Sequence, residues 1–139
     1  MRVHRIFVVL GMTAALVVGH LGFAPTANAD HNTCPTGHTT AGFETGVVSS
    51  TNVNDYYRHQ AQIFPSHTYT LTMTGGDADL YVYDSGLAGT GGCSTLACSS
   101  TNGGSSTDSC RVTGVGTYHV RVKYFSGGSV FYTLQVTTP

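Results

Sequence analysis

The chain has 139 residues, a net charge of −1 and only 9% charged residues, with 18 glycines, four cysteines and no tryptophan. It offers no basic patch for nucleic acid or for an anionic membrane surface. It is long enough for a single core but not for two, and with so few charges its solubility must rest on Ser, Thr, Gly and Asn.

The first segment reads as an address. Arg2, His4 and Arg5 form a basic head, an apolar run follows from Ile6 to about Phe23, and Ala27-Asn28-Ala29 fits a signal-peptidase site. A membrane anchor is the competing reading, weakened by Gly11, Gly19, His20 and Gly22 within the run. Residues 1–29 are therefore expected to be a signal peptide, and residues 30–139, 110 residues, a single secreted domain with no membrane attachment after cleavage. That segment retains four basic residues (Arg58, Arg111, Arg121, Lys123) against all seven acids, a balance of minus three. Its four cysteines (Cys34, Cys93, Cys98, Cys110) form an even set behind an export signal, which reads as two disulfides in an oxidising compartment. Zinc would want C-x2-C pairs or a Cys/His cluster, whereas the spacings here are C-x4-C and C-x11-C. Three pairings are open on arithmetic alone.

Beyond the leader, apolar residues alternate with polar ones and do not recur at helical spacing. Two more strands are expected in chain order before and after the clearest one: Tyr56 to Phe64, ending at Pro65, and Leu80 to Tyr83, after a Gly75-Gly76-Asp77 turn. Between them, in His67–Thr74, Tyr69, Leu71 and Met73 share one face and four threonines the other. Tyr118–Phe125 and Val130–Thr137 alternate in the same way, and Ser126-Gly127-Gly128-Ser129 is expected to join them as a tight hairpin. Weaker strands sit near Thr45–Ser49 and Arg111–Thr113. Short strands about ten residues apart indicate an all-β, antiparallel, jelly-roll-like β-sandwich with two disulfides. Ser85–Ser109, rich in Gly, Ser and Thr, reads as a long loop that its cysteines staple.

The sequence lacks G-x-S-x-G, H-E-x-x-H, the phosphate-binding G-x-x-x-x-G-K-[ST] and a dinucleotide fingerprint. The histidines after the leader are scattered, and a Ser/His/Asp triad would have to assemble in space. No enzymatic activity is expected. Asp77-Ala78-Asp79 offers closely spaced carboxylates to calcium, against the plainer reading of a turn whose carboxylates bond nearby amides. Asn52, Asn54 and Asp55 form a second oxygen-rich turn with the same two readings. Eight tyrosines all fall in expected strands. One of Tyr56 and Tyr57 must point outward, and Tyr81 and Tyr83 share the face opposite Leu80 and Val82. Tyr56, Tyr81, Tyr83 and Tyr118 are the residues expected to offer a contact surface to a protein or glycan; the alternative is that both faces are covered.

Asp55-Tyr56-Tyr57-Arg58, Tyr69-Thr70-Leu71-Thr72, Gly76-Asp77-Ala78-Asp79-Leu80-Tyr81-Val82, Gly116-Thr117-Tyr118-His119-Val120-Arg121-Val122 and Tyr132-Thr133-Leu134-Gln135-Val136 follow one another in an order and spacing that resembles the bacterial pre-peptidase C-terminal domain family. The resemblance runs from about Gly42 to Thr137 and implies a jelly-roll sandwich of the kind placed beside catalytic domains of secreted peptidases. It also implies kinship with the collagen-binding domains of collagenases, some of which bind calcium. On the family pattern Cys98 would pair with Cys110, leaving Cys34 for Cys93. The chain is expected to carry no catalytic domain beside this one, and the domain is expected to act alone or on a separate partner. The relatives' calcium ligands precede the sandwich, where this chain has only Asp30 and Glu44, so Glu44, Asn54 and Asp55 join Asp77 and Asp79 as the candidate calcium set. His59 stands where an apolar inward residue is expected.

The expectation is a secreted, extracellular, monomeric, non-catalytic binding or accessory module for an extracellular protein or polysaccharide. The alternative is a small disulfide-braced peptidase inhibitor or effector acting through residues 85–109.

Overall fold

Alternating tyrosine, leucine and valine on one side of each strand can leave water only if two such sides face each other. A computed structural model, which describes residues 33–34 and 38–139, shows how this is done. The leader and its cleavage site lie outside the described residues, as does Asp30. Among the described residues there are seven strands and no helix: β1 (His38–Thr39), β2 (Phe43–Val48), β3 (Asn54–Ala61), β4 (Ser66–Asp84), β5 (Thr95–Ser100), β6 (Asp108–Thr113) and β7 (Gly116–Thr137).

The structure corrects two of the expected turns. Gly75-Gly76-Asp77 does not reverse the chain, and Ser126–Ser129 is not a hairpin. Each lies inside one long strand, of 19 residues in β4 and 22 in β7. The two strands pair antiparallel from Thr68 opposite Thr137 to Asp84 opposite Tyr118, with register shifts at Thr74/Gly76 and Asp77/Ala78. Gly76 lies opposite Gly127 at the shift. Gly127 has φ +100°, and a Cβ there would lie 2.7 Å from the Gly76 Cα, so only glycine lets the strands approach and bend together.

The bend divides the hydrogen-bonded network into two layers. In one, β6 and β2 flank the first half of β4 and the second half of β7. In the other, β5 flanks the second half of β4, and β3 and then β1 flank the first half of β7. Every pair is antiparallel except the two-residue β1–β3 pair. The fold is thus an all-β sandwich, as the alternation implies. The expected 85–109 loop is a loop only in part, because β5 lies within it and pairs with β4 through Leu80–Asp84. Exposed Leu96 and small Thr and Ser residues gave β5 no apolar face from which alternation could be read.

Tyr69, Leu71 and Leu134 of one layer and Leu80, Val82, Val120 and Val122 of the other are fully buried between the sheets. Polar bridges join the layers through this core. The Tyr57 hydroxyl donates to that of Tyr132 (2.5 Å), which donates to Asp55 Oδ2 (2.6 Å), while Asn52 Nδ2 reaches Asp55 Oδ1 (3.3 Å). Gly46 makes room for this cluster, since a Cβ there would clash with the Tyr132 hydroxyl and ring. Burial pushes Tyr57 up to about 12, with the Asp55 charge adding to the effect. On the opposite side, Cys98 of β5 is bonded to Cys110 of β6 and ties one edge strand of each layer together. The second disulfide joins Cys34 to Cys93. Both pairings are those the resemblance implies.

Tyr132→Phe removes the hydroxyl that donates to Asp55 Oδ2 and leaves that buried acceptor short of a donor. It is expected to lower unfolding free energy by about 1–3 kcal/mol in urea titrations. Tyr57→Phe should cost less, because Asp55 keeps Tyr132.

Candidate functional site

Along β3, β4 and β7 the residues that do not enter the core point away from the second layer. The register sets them in rows. One row runs Ser99, Tyr81, Arg121, Tyr56, the next Leu96, Tyr83, His119, Arg58, and a third Asp79, Lys123, Asn54. This face is divided by what covers it.

Half of it lies under the segment after β4. Ser85 N donates to Thr117 O, Thr117 N to Gly86 O and Gly91 N to Ser85 O, so the segment is folded back on β7. The Cys34–Cys93 disulfide pins its far end, with Cys34 Sγ 3.6 Å from His119 Nδ1. Beneath it Ser85 Oγ donates to Gly92 O and lies 3.0 Å from His119 Nδ1. Both side chains are buried, and the adjacent Asp84 carboxylate is turned to Gly86 N (2.7 Å). The serine–histidine pair a spatial triad would need is therefore present, but as an internal clasp closed to substrate. Burial holds His119 below its ordinary value, and the nearby Arg58 charge acts in the same direction. The Cys34, Cys93 and His119 atoms also cluster at metal-ligand spacing, but the two sulfurs are spent on each other in the disulfide.

The other half is open. Arg121 sits between two tyrosine rings, with its guanidinium carbon 5.9 Å from the Tyr56 centroid and 5.6 Å from the Tyr81 centroid. Its Nε donates to Asn54 Oδ1 (2.8 Å), which fixes the guanidinium over the sheet. Tyr56, Tyr81 and Tyr83 are half-buried side chains on this outer face. Tyr118 is not among them. It is 3% exposed, faces the core against Tyr69 (ring centroids 6.4 Å apart) and spends its hydroxyl on Thr113 O and Gly114 O. The alternation pattern carried this placement, since Tyr118 shares its phase with Val120 and Val122.

Beside the tyrosine row lies a groove of about 330 Å³ lined by Asp77, Asp79, Tyr81, Thr101, Gly103 and Phe125. The Tyr81 hydroxyl donates to Asp79 Oδ2 (3.1 Å). Asp79 is held above its ordinary value, first by burial and further by the charges of Asp77 and Asp108, while the Tyr81 hydrogen bond and, less, Lys123 act in the opposite direction. Asp108 Oδ1 accepts from Ser100 Oγ and from Asn102 N, whereas its Oδ2 and Asp77 Oδ1 are buried with no hydrogen-bond partner. Asp108 did not stand out in the sequence, where it is one more polar residue in a Ser/Thr-rich run.

The candidate calcium set does not gather at one place. Asp55 is 2% exposed and takes bonds from Tyr132 and Asn52 in the core, and Asn54 serves Arg121. Glu44 lies on β2 opposite Leu134, in the other layer. Asp77 and Asp79 are separate from these, on the groove.

No family profile and no curated protein matches the chain. Among solved structures it is similar to the pre-peptidase C-terminal domain of a collagenase from Bacillus anthracis, at 13% identity over 72% of this chain and 91% of that one, with a TM-score of 0.57. It is more loosely similar to PliG, a periplasmic inhibitor of g-type lysozyme, from Aeromonas hydrophila (15% identity, 70% and 84% covered, TM-score 0.44) and from Salmonella Typhimurium (15%, 68% and 86%, TM-score 0.38). The chain thus has a fold like that of the pre-peptidase C-terminal domain.

His59, the residue out of place in the alternation, does face inward. Its Nδ1 bonds the Tyr69 hydroxyl across the layers (2.8 Å), and its ring packs edge-on against His67 and Tyr69. Burial, aided by His67, lowers its pKa to about 4. Between pH 6.5 and 4 the unfolded chain therefore binds a proton that the folded one refuses. Stability is full above about pH 6.5 and falls as pH drops toward 4, on the order of 1–2 kcal/mol for this residue once its partial exposure is allowed for. His119 contributes in the same direction. Melting temperature measured from pH 7 to pH 4 should decline less steeply for His59→Gln than for the unaltered protein.

Proposed function

We propose that this chain is a secreted, non-catalytic binding module whose Tyr56–Arg121–Tyr81 face docks on an extracellular protein or polysaccharide. The observation that carries this reading is the arginine held between two tyrosines in a single row across three strands, on a face left open by the strapped segment beside it. Tyrosine and arginine are the side chains enriched at protein interfaces, since they bring large area at low entropic cost and keep polar ends for hydrogen bonds. Tyrosine rings on a flat sheet also suit the apolar faces of a glycan. The non-catalytic part of the reading is supported by the closed Ser85–His119 clasp, and the secreted part by two disulfides, which persist in oxidising compartments.

Retention of the oxidised protein on insoluble collagen, chitin and cellulose tests the reading. Arg121→Ala and Tyr81→Ala are each expected to weaken retention about tenfold, a loss of about 1–2 kcal/mol. Thr72→Ala, exposed on the other layer, should leave it unchanged. Failure of the unaltered protein to bind any matrix would sink the proposal.

A second reading, a peptidase inhibitor or effector acting through residues 85–109, draws on Leu87, which is 79% exposed in a segment held at Cys93. It expects inhibition in a panel of secreted peptidases that Leu87→Ser abolishes, and it fails if no peptidase is slowed.

A further inference from the structure

The acidic groove beside the tyrosine row has a feature that neither the fold nor the docking face accounts for. Asp77 is 94% buried, since only 6% of its surface is exposed, and its Oδ1 has no hydrogen-bond partner. A buried carboxylate oxygen left unpaired costs on the order of 1–3 kcal/mol or more, so such a group ordinarily has a partner, whether protein, water or ion. Asp77 lines the groove together with Asp79, which is equally buried, and the Tyr81 hydroxyl. The remaining wall, at Thr101 and Gly103, can add hydroxyl or carbonyl oxygens. Asp108, fully buried, adds a third negative charge near enough to act on Asp79. Lys123, opposite Asp79 in the strand register, is the cation that acts on this cluster.

We propose that the groove formed by Asp77, Asp79 and Tyr81 is a binding site for a hard divalent cation, with calcium the best match to its donors. The donor set is all oxygen, with neither imidazole nor thiolate among the lining residues, which disfavours zinc and suits calcium. The two aspartates stand two residues apart in β4, one on each side of the register shift at Asp77/Ala78, and both line the groove that opens at this irregularity. Calcium takes six to eight oxygens in adaptable geometry, and a groove of about 330 Å³ leaves room for several of them to be water. This site is distinct from Glu44, Asn54 and Asp55, the positions to which the family resemblance points.

The test uses the full oxidised chain, purified in chelator and then titrated with calcium chloride by calorimetry and with terbium by luminescence, since Tyr81 at the site can sensitise a bound lanthanide. Affinity in the range of extracellular calcium modules, about 10⁻⁴–10⁻³ M, is expected, together with a rise in melting temperature on adding calcium. Asp77→Asn and Asp79→Asn should each weaken binding at least about tenfold. Tyr81→Phe should retain most calcium affinity, because it removes one neutral donor and keeps both carboxylates. Glu44→Gln should bind like the unaltered protein. If Asp77→Asn does not fold, Asp79→Asn with its melting curve in chelator carries the comparison. Absence of both calcium heat and terbium emission in the unaltered chain overturns the proposal. So does binding that survives both aspartate variants, or that Glu44→Gln abolishes. The docking face is tested independently by matrix retention in chelator, so either result can fail without the other.

Discussion

The close approach of Gly76 to Gly127 is the constraint on which the architecture depends. At that point two strands of about twenty residues change direction together, their pairing resuming in a shifted register, and each half enters a different layer. Six of the seven strands take their places by pairing with β4 or β7, or in β7's case with β4 itself, so the bend decides which residues of the whole chain face which others. A side chain at Gly127 would strike backbone, which cannot move aside as the end of a flexible side chain could. Losing this contact would not merely open a cavity; it would separate the layers at their shared corner.

Sheets joined at a corner must still be closed along the edges, and the two sides use different chemistry. Between β5 and β6, which have few apolar residues, a covalent bond from Cys98 to Cys110 does the work. Closing a loop of about a dozen residues this way restricts the unfolded chain by roughly 3 kcal/mol. Between β3 and the second half of β7 the closure is polar, through the Tyr57–Tyr132–Asp55 chain, which directs a buried carboxylate at phenolic and amide donors in place of a counter-charge. With only 9% charged residues, the protein has little scope for ion pairs, and the buried Asp55, Asp79 and Asp108 each accept from hydroxyl or amide groups instead.

The layer composition was legible in the sequence because period-two alternation is clear within β3 and on each side of the bend in β4 and β7, and it placed Leu80, Val82, Val120 and Leu134 on the inside. The paired glycines were misread for a physical reason. Gly-Gly followed by Asp, and Ser-Gly-Gly-Ser, have the same local chemistry whether the chain reverses or two strands bend in step, and only the partner strand decides. β5 was missed because its side chains are largely exposed on both sides, so it carries no apolar signature. At the candidate site, Tyr81 and Tyr83 could be read outward from Leu80 and Val82. Arg121 could be placed on the same face, but its position between two rings depends on β3 and β4 being its immediate neighbours. Asp108 reaches the acidic cluster from a strand in the other layer, a proximity no local pattern contains.

The bend has a consequence for where ligands can be met. Strands that stay in one layer present a flat outer face, and here one half of that face is closed by the strapped 85–93 segment. The open half borders the corner, where the register shift breaks the regular ladder and leaves a groove that an unbent sheet would lack. Tyr81 belongs to both: its ring flanks Arg121 in the open row while its hydroxyl reaches Asp79 in the groove. A charge placed in the groove would therefore act on the orientation of that ring, and through it on Arg121. The flat face and the corner groove are adjacent because the same two strands build both, so whatever fixes Tyr81 at one of them is felt at the other.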